Sequence, residues 1–166
     1  MFALKALSHE GVESALAKAE HYRLLSEPAE AESICRDILE IEPANQRALI
    51  CFVLAESDQI ARDSKAFQSA LTAAAKLTGE YERAYYSGIV WERRAKALHD
   101  DRGRGTHHSV YEWMVKALHY FERAEKLRPA HNDDAVLRWN TCVRFLAKHP
   151  NLVPRAEEIP EPIVSE

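Results

Sequence analysis

Apolar residues recur at three- and four-residue steps along almost the whole chain, and that is the period of an α-helix. Only five glycines and seven prolines interrupt this pattern over 166 residues, and those are the residues that break helices. No alternating stretch long enough for a useful strand is present. The pattern therefore predicts an all-α fold, with helices over 9–25, 28–41, 45–60, 64–78, 80–99, 109–127 and 133–148.

Several of the breaks carry their own chemistry. Ser26 is expected to cap a helix that has Pro28 in its first turn. Pro43 stops the preceding helix, because the residue before a proline avoids the α region. Gly79 is placed to end the fourth helix. Ser109 and Glu112, three apart, fit a capping box, and Pro129 closes the helix that they open. Asn132, Asp133 and Asp134 bring negative charge to the dipole-positive start of the seventh helix. Residues 1–150 form the helical domain. Residues 151–166, rich in proline and glutamate, are expected to be extended and weakly packed.

The formal net charge is −4, which provides no general field for nucleic acid or an anionic membrane. No apolar run approaches the roughly 20 residues that span a bilayer. The three cysteines, Cys35, Cys51 and Cys142, are scattered among apolar helical residues. They read as buried thiols of a reducing compartment, hence a cytoplasmic protein.

An internal period appears when the helices are paired. Ala19-x2-Tyr22 is followed by Ala31-x3-Cys35, Ile38 and Pro43; Gly88-x2-Trp91 is followed by Ala117-x3-Phe121, Ala124 and Pro129. The small residue on each first helix lets the second approach, and the aromatic beside it fills the gap. This pattern resembles the tetratricopeptide repeat family over roughly residues 12–148. The units fall at about 12–45, 46–79 and 80–130, with a capping helix at 133–148. The second unit departs from the pattern, having Val53 at the small place, Glu56 at the aromatic place and Thr78 where proline is usual. The third is long, its helices joined by Asp100-Asp101-Arg102-Gly103-Arg104-Gly105-Thr106.

The resemblance implies a right-handed superhelix (an α-solenoid) of about seven antiparallel helices. It also implies a concave groove lined by the first helix of each unit. Carried over by position, the groove residues are Glu20, Arg23, Arg47, Ile50, Leu54, Glu82, Tyr86, Ile89 and Arg93. Tyr86 and Arg93, seven apart on one face, are the leading contact residues. The implied function is that of an interaction module or adaptor holding a peptide or helix of another protein. Alternatives are an assembly or secretion chaperone and a homo-oligomeric structural subunit, whose outer contact would include Arg138 on the last helix. In that helix Ala135, Trp139, Cys142, Val143 and Leu146 form the inward stripe.

Other chemistry has little support in the sequence. His99, His107 and His108 flank the inserted loop, but no tight ligand spacing accompanies them. Arg102-Gly103-Arg104-Gly105 is one short basic copy beside two aspartates, so no nucleic-acid partner is expected. Phosphate-loop and nucleophile-elbow motifs are absent from the sequence. No catalytic residue, metal or cofactor is implied.

Overall fold

The computed structural model describes residues 2–101 and 106–155. After one turn of 3-10 helix at His9–Gly11 come seven α-helices: α1 (Val12–Leu24), α2 (Pro28–Ile41), α3 (Gln46–Gln59), α4 (Ala66–Ala74), α5 (Glu80–Asp100), α6 (His107–Leu127) and α7 (Asp134–Lys148). There is no strand among the described residues, and no helix there is long and apolar enough to cross a membrane. Arg102 to Gly105 and residues 156–166, where the basic loop motif and most of the tail fall, lie outside the described residues.

Side-chain contacts fix the relative directions of the helices. Glu32 and Arg36 of α2 meet Gln59 and Glu56 of α3 in reverse order, so α2 and α3 are antiparallel. Gly88, Trp91 and Arg94 of α5 meet Phe121, Lys116 and Trp113 of α6, again in reverse. The odd-numbered helices run the same way as one another. Glu20 and Arg23 of α1 pair with Arg47 and Asp58 of α3, while Glu92 and Lys96 of α5 meet Arg138 and Phe145 of α7. Each helix packs on the next, and α1, α3, α5 and α7 also touch in succession. The result is a row of helical hairpins whose first helices share one face.

The small residues of the sequence pattern lie at close helix contacts. Ala19, Ala31, Ala117 and Ala124 are fully buried. Gly88 makes a close contact with α6: a Cβ there would lie 2.6 Å from Cε1 of Phe121, inside any real van der Waals distance. Phe121 is itself fully enclosed and fills the space that the glycine leaves. Two larger apolar clusters result, one among α1–α5 around Leu16, Ile38, Val53 and Leu77, the other among α5–α7 around Ile89, Met114 and Phe121. Tyr86 packs against both.

Local chemistry departs from the sequence expectation at several ends. Ser26 does not cap α2; it adopts φ 61°, with its N–H bonded to the Arg23 carbonyl and that of Glu27 to the Tyr22 carbonyl. Those two bonds close α1 in a Schellman arrangement, in which Ser26 occupies the left-handed position. Gly79 opens α5 instead of ending α4, which stops at Ala74, and the Glu82 carboxylate folds back over it. Thr78, at the usual proline place, binds the Gln46 side chain through its N–H and hydroxyl. Because α6 begins at His107, Ser109 lies inside its first turn and does not open a capping box. Leu152 is buried against the α5–α7 core, so the first residues after Pro150 are docked, not loosely extended.

The last helix is rotated from the expected stripe. Ala135 and Cys142 are buried and Trp139 and Leu146 pack inward, but Val143 is exposed and Phe145 takes its place. Arg138 is not on the outer face: its guanidinium points back to Glu92 of α5.

Candidate functional site

The shared face of α1, α3, α5 and α7 is crossed by a row of ion pairs. Near the start of α3, Arg47 donates to Glu13 at 3.0 Å and to Glu20 at 3.2 Å, both on α1. At the other end of α1, Arg23 meets Asp58 of α3 at 3.4 Å, and Arg93 of α5 meets the second oxygen of Asp58 at 2.9 Å. One carboxylate thus ties three helices together.

The row continues through Glu92, which is wholly buried at 0 % exposure. Lys96 donates to its Oε1 at 2.5 Å, and Nη1 of Arg138 lies 3.5 Å from Oε2, too far for a good hydrogen bond. Oε2 accepts no other hydrogen bond. A buried carboxylate is costly unless compensated, and here two cations from α5 and α7 hold it. The arrangement in turn fixes Lys96 and Arg138 beside Asp58 and Arg93.

Two hollows lie along this face. The first, of about 140 Å3, is lined by Glu20, Arg23, Arg47, Ile50, Cys51 and Leu54. The second, of about 280 Å3, is lined by Asp58, Arg93, Lys96, Asp100 and Arg138, among others. Each combines apolar or aliphatic walls with charged groups already held by partners, so side-chain order is largely set before anything binds.

Five of the nine residues carried over from the repeat pattern, Glu20, Arg23, Arg47, Ile50 and Leu54, line the first hollow together. Arg93 lines the second. Glu82 lies over Gly79 at the start of α5 and lines neither of these hollows. Ile89 is a correction: at 2 % exposure it belongs to the α5–α7 core. Its neighbour Gly88 faces α6, and α5 is covered on another side by α7, so little of the helix remains free. Tyr86 is half-buried between the two cores, where burial pushes its hydroxyl pKa upward; it is a packing residue with one side towards the groove layer.

Sequence reasoning missed Asp58, Glu92 and Lys96, and put Arg138 on the outer face. An acid four residues before a lysine reads as an exposed helical pair, and nothing in the sequence says that α7 folds over it. Cys51 lines the first hollow, with Cys35 of α2 as its neighbour. The adjacent Cys51 thiol and burial push the Cys35 thiol pKa up, while the Cys35 thiol draws Cys51 down. Cys142 is pushed up to about 12, chiefly by burial and then by Glu92.

The loop histidines do not converge. His99 packs on the rings of Phe145 and His149, His107 contacts Asn151, and His108 contacts the Val153 carbonyl. Among the described residues, no group of three or more His, Cys, Asp or Glu side chains is placed to hold a metal ion. Comparison with family models, with curated proteins and with solved structures returned no match.

Proposed function

We propose that the chain is a tetratricopeptide-like interaction module that holds an extended or helical segment of another protein along the face shared by α1, α3, α5 and α7. The observation that carries the reading is the first hollow, where five residues named from the repeat pattern meet. Ile50 and Leu54 offer apolar contact, while Arg23 and Arg47 are held in place by Asp58, Glu13 and Glu20. Prearranged arginines beside apolar surface suit peptide recognition, because little side-chain freedom is lost on binding. The test is selection of a peptide-display library on the intact chain, followed by affinity measurement with Arg23→Ala and Arg47→Ala variants. Selected peptides are expected to lose tenfold or more in affinity, about 1.4 kcal/mol, while the melting temperature stays nearly constant. Peptides that bind both variants as well as the parent chain refute the groove.

A second reading, self-association, has its own observation. Leu137 and Val143 are exposed on the terminal helix α7, Leu137 at 62 %. If copies associate there, Leu137→Asp lowers the mass seen in solution and leaves peptide capture unchanged.

A further inference from the structure

Around the second hollow of the shared face, four cations share two carboxylates. Asp58 lies between Arg23 and Arg93, at 3.4 and 2.9 Å. Glu92 lies between Lys96 and Arg138, at 2.5 and 3.5 Å. None of the four cations has a second carboxylate partner among the described residues. Asp100 stands at the rim, 82 % exposed, and meets His99. With His99 neutral and every pairing included, the residues lining the hollow and their partners hold four cations and three carboxylates. One positive charge is left over, and it faces about 280 Å3 of open space.

We infer that this hollow seats one carboxylate, that of an Asp or Glu side chain within the segment held along the shared face. The inference rests on the groove reading above and adds the chemistry of what the groove takes. A single carboxylate cancels the excess charge. Arg93, Lys96 and Arg138 are each about a third exposed, so their free N–H groups can be reached from the hollow. A guanidinium carries five donors, and a half-share of one carboxylate leaves several of them unused. The planar fork of arginine also matches a carboxylate edge. A phosphate group, with nearly two charges, would exceed the balance and face Asp58 and Asp100. The volume lies just below that of pockets for whole small ligands, roughly 300–1,000 Å3, and suits one side chain.

The two hollows are close enough for one segment to fill both. Arg23 lines the first and Asp58 the second, and these two side chains meet. Along α3 the first hollow is lined by Arg47, Ile50, Cys51 and Leu54, the second by Ser57, Asp58 and Ala61. Their centres are therefore about eight residues apart, or about 12 Å at 1.5 Å per residue. An extended segment covers that distance in about four residues. An apolar side chain against Ile50 and Leu54 then places an acid about four positions away beside Arg93, Lys96 and Arg138.

The test uses peptides selected from a display library on the intact chain, remade with an amidated C-terminus, and their counterparts with each Asp or Glu changed to Asn or Gln. Affinities are measured by calorimetry. One acid is expected to matter, its amide binding about tenfold or more weaker. On an Arg93→Gln chain, which keeps Glu92 with both its cations, acid and amide peptides should differ less than threefold. The comparison on the unchanged chain needs no variant to fold. Peptides that lose affinity to Arg23→Ala and Arg47→Ala, yet carry no acid or tolerate its amide, would keep the groove and overturn the carboxylate seat. So would an acid effect as large on Arg93→Gln as on the parent chain, or binding that requires a free C-terminal carboxylate. Selection of no peptide, or of peptides indifferent to Arg23, Arg47 and Arg93 alike, would overturn both the groove and the seat.

Discussion

Replacing Gly88 with alanine tests the α5–α6 register through a single methyl group. In an unobstructed helix the change stabilises, because glycine costs roughly 0.5–1 kcal/mol relative to alanine. Here the new Cβ would stand 2.6, 2.8 and 3.0 Å from three ring atoms of Phe121. Ordinary contact is about 3.5–4.0 Å, so the ring or the helix must move by nearly an ångström. Phe121 is fully buried. Overpacking of this kind costs about 1–3 kcal/mol, which offsets the propensity gain and leaves a net loss of up to about 2.5 kcal/mol. For a chain of this length that is a fall of up to about 10 °C in melting temperature. Thermal and denaturant unfolding of Gly88→Ala, Phe121→Leu and the double variant give the cycle. The double variant is expected to be more stable than the sum of the single losses, by about 0.5 kcal/mol or more. A rise in melting temperature for Gly88→Ala alone would show that α5 and α6 do not meet at this point.

Three further outcomes follow from the same packing and from the local chemistry. Ala31→Leu and Ala117→Leu, both at fully enclosed positions, should each lose about 1–3 kcal/mol, whereas Ala130→Leu, in an exposed turn, should be near neutral; equal denaturant midpoints for all three would refute the pairing of the helices. Ser26→Gly should raise stability by up to about 1 kcal/mol, because the φ of 61° costs a residue with a side chain more than it costs glycine; a loss would mean that the serine hydroxyl, and not the turn, is what matters. Burial, followed by Asp134, pushes the Tyr81 hydroxyl from its ordinary 10.0 up to about 12. The folded chain therefore keeps a proton that the unfolded chain releases, and stability present below pH 10 should fall as pH rises from about 10 to 12. Tyr81→Phe should flatten that part of the pH–stability curve.

The helices were legible because their breaks are physical. Pro28, Pro43 and Pro129 cannot occupy helix interiors, and the observed ends of α2 and α6 fall beside them. Ala31, Gly88 and Ala117 were legible for a related reason, since a repeated small residue leaves room that some neighbour fills. Ser26 was misread because serine suits two opposite jobs: it caps starts through its hydroxyl and tolerates the left-handed turn at an end. Glu92 was missed and Arg138 misplaced because each looks like an ordinary solvated residue on its own helix. Only the packing of α7 across α5 makes one buried and the other its partner. Ile89 failed for a similar reason: position in a repeat unit gives the face of an isolated hairpin, while α5 is enclosed by α6 and α7 together. Glu20, Arg23, Arg47, Ile50 and Leu54 come together because α1 and α3 pack directly on each other.

The most direct test of the proposed binding face is backbone amide NMR of the intact chain, titrated with a peptide selected on it. Shift changes are expected along α1, α3 and α5, at Glu20, Arg23, Arg47, Ile50, Leu54 and Arg93, with α2, α4 and α6 nearly silent. Changes concentrated on α2, α4 and α6, or at Leu137 on α7, would contradict a groove formed by the odd-numbered helices.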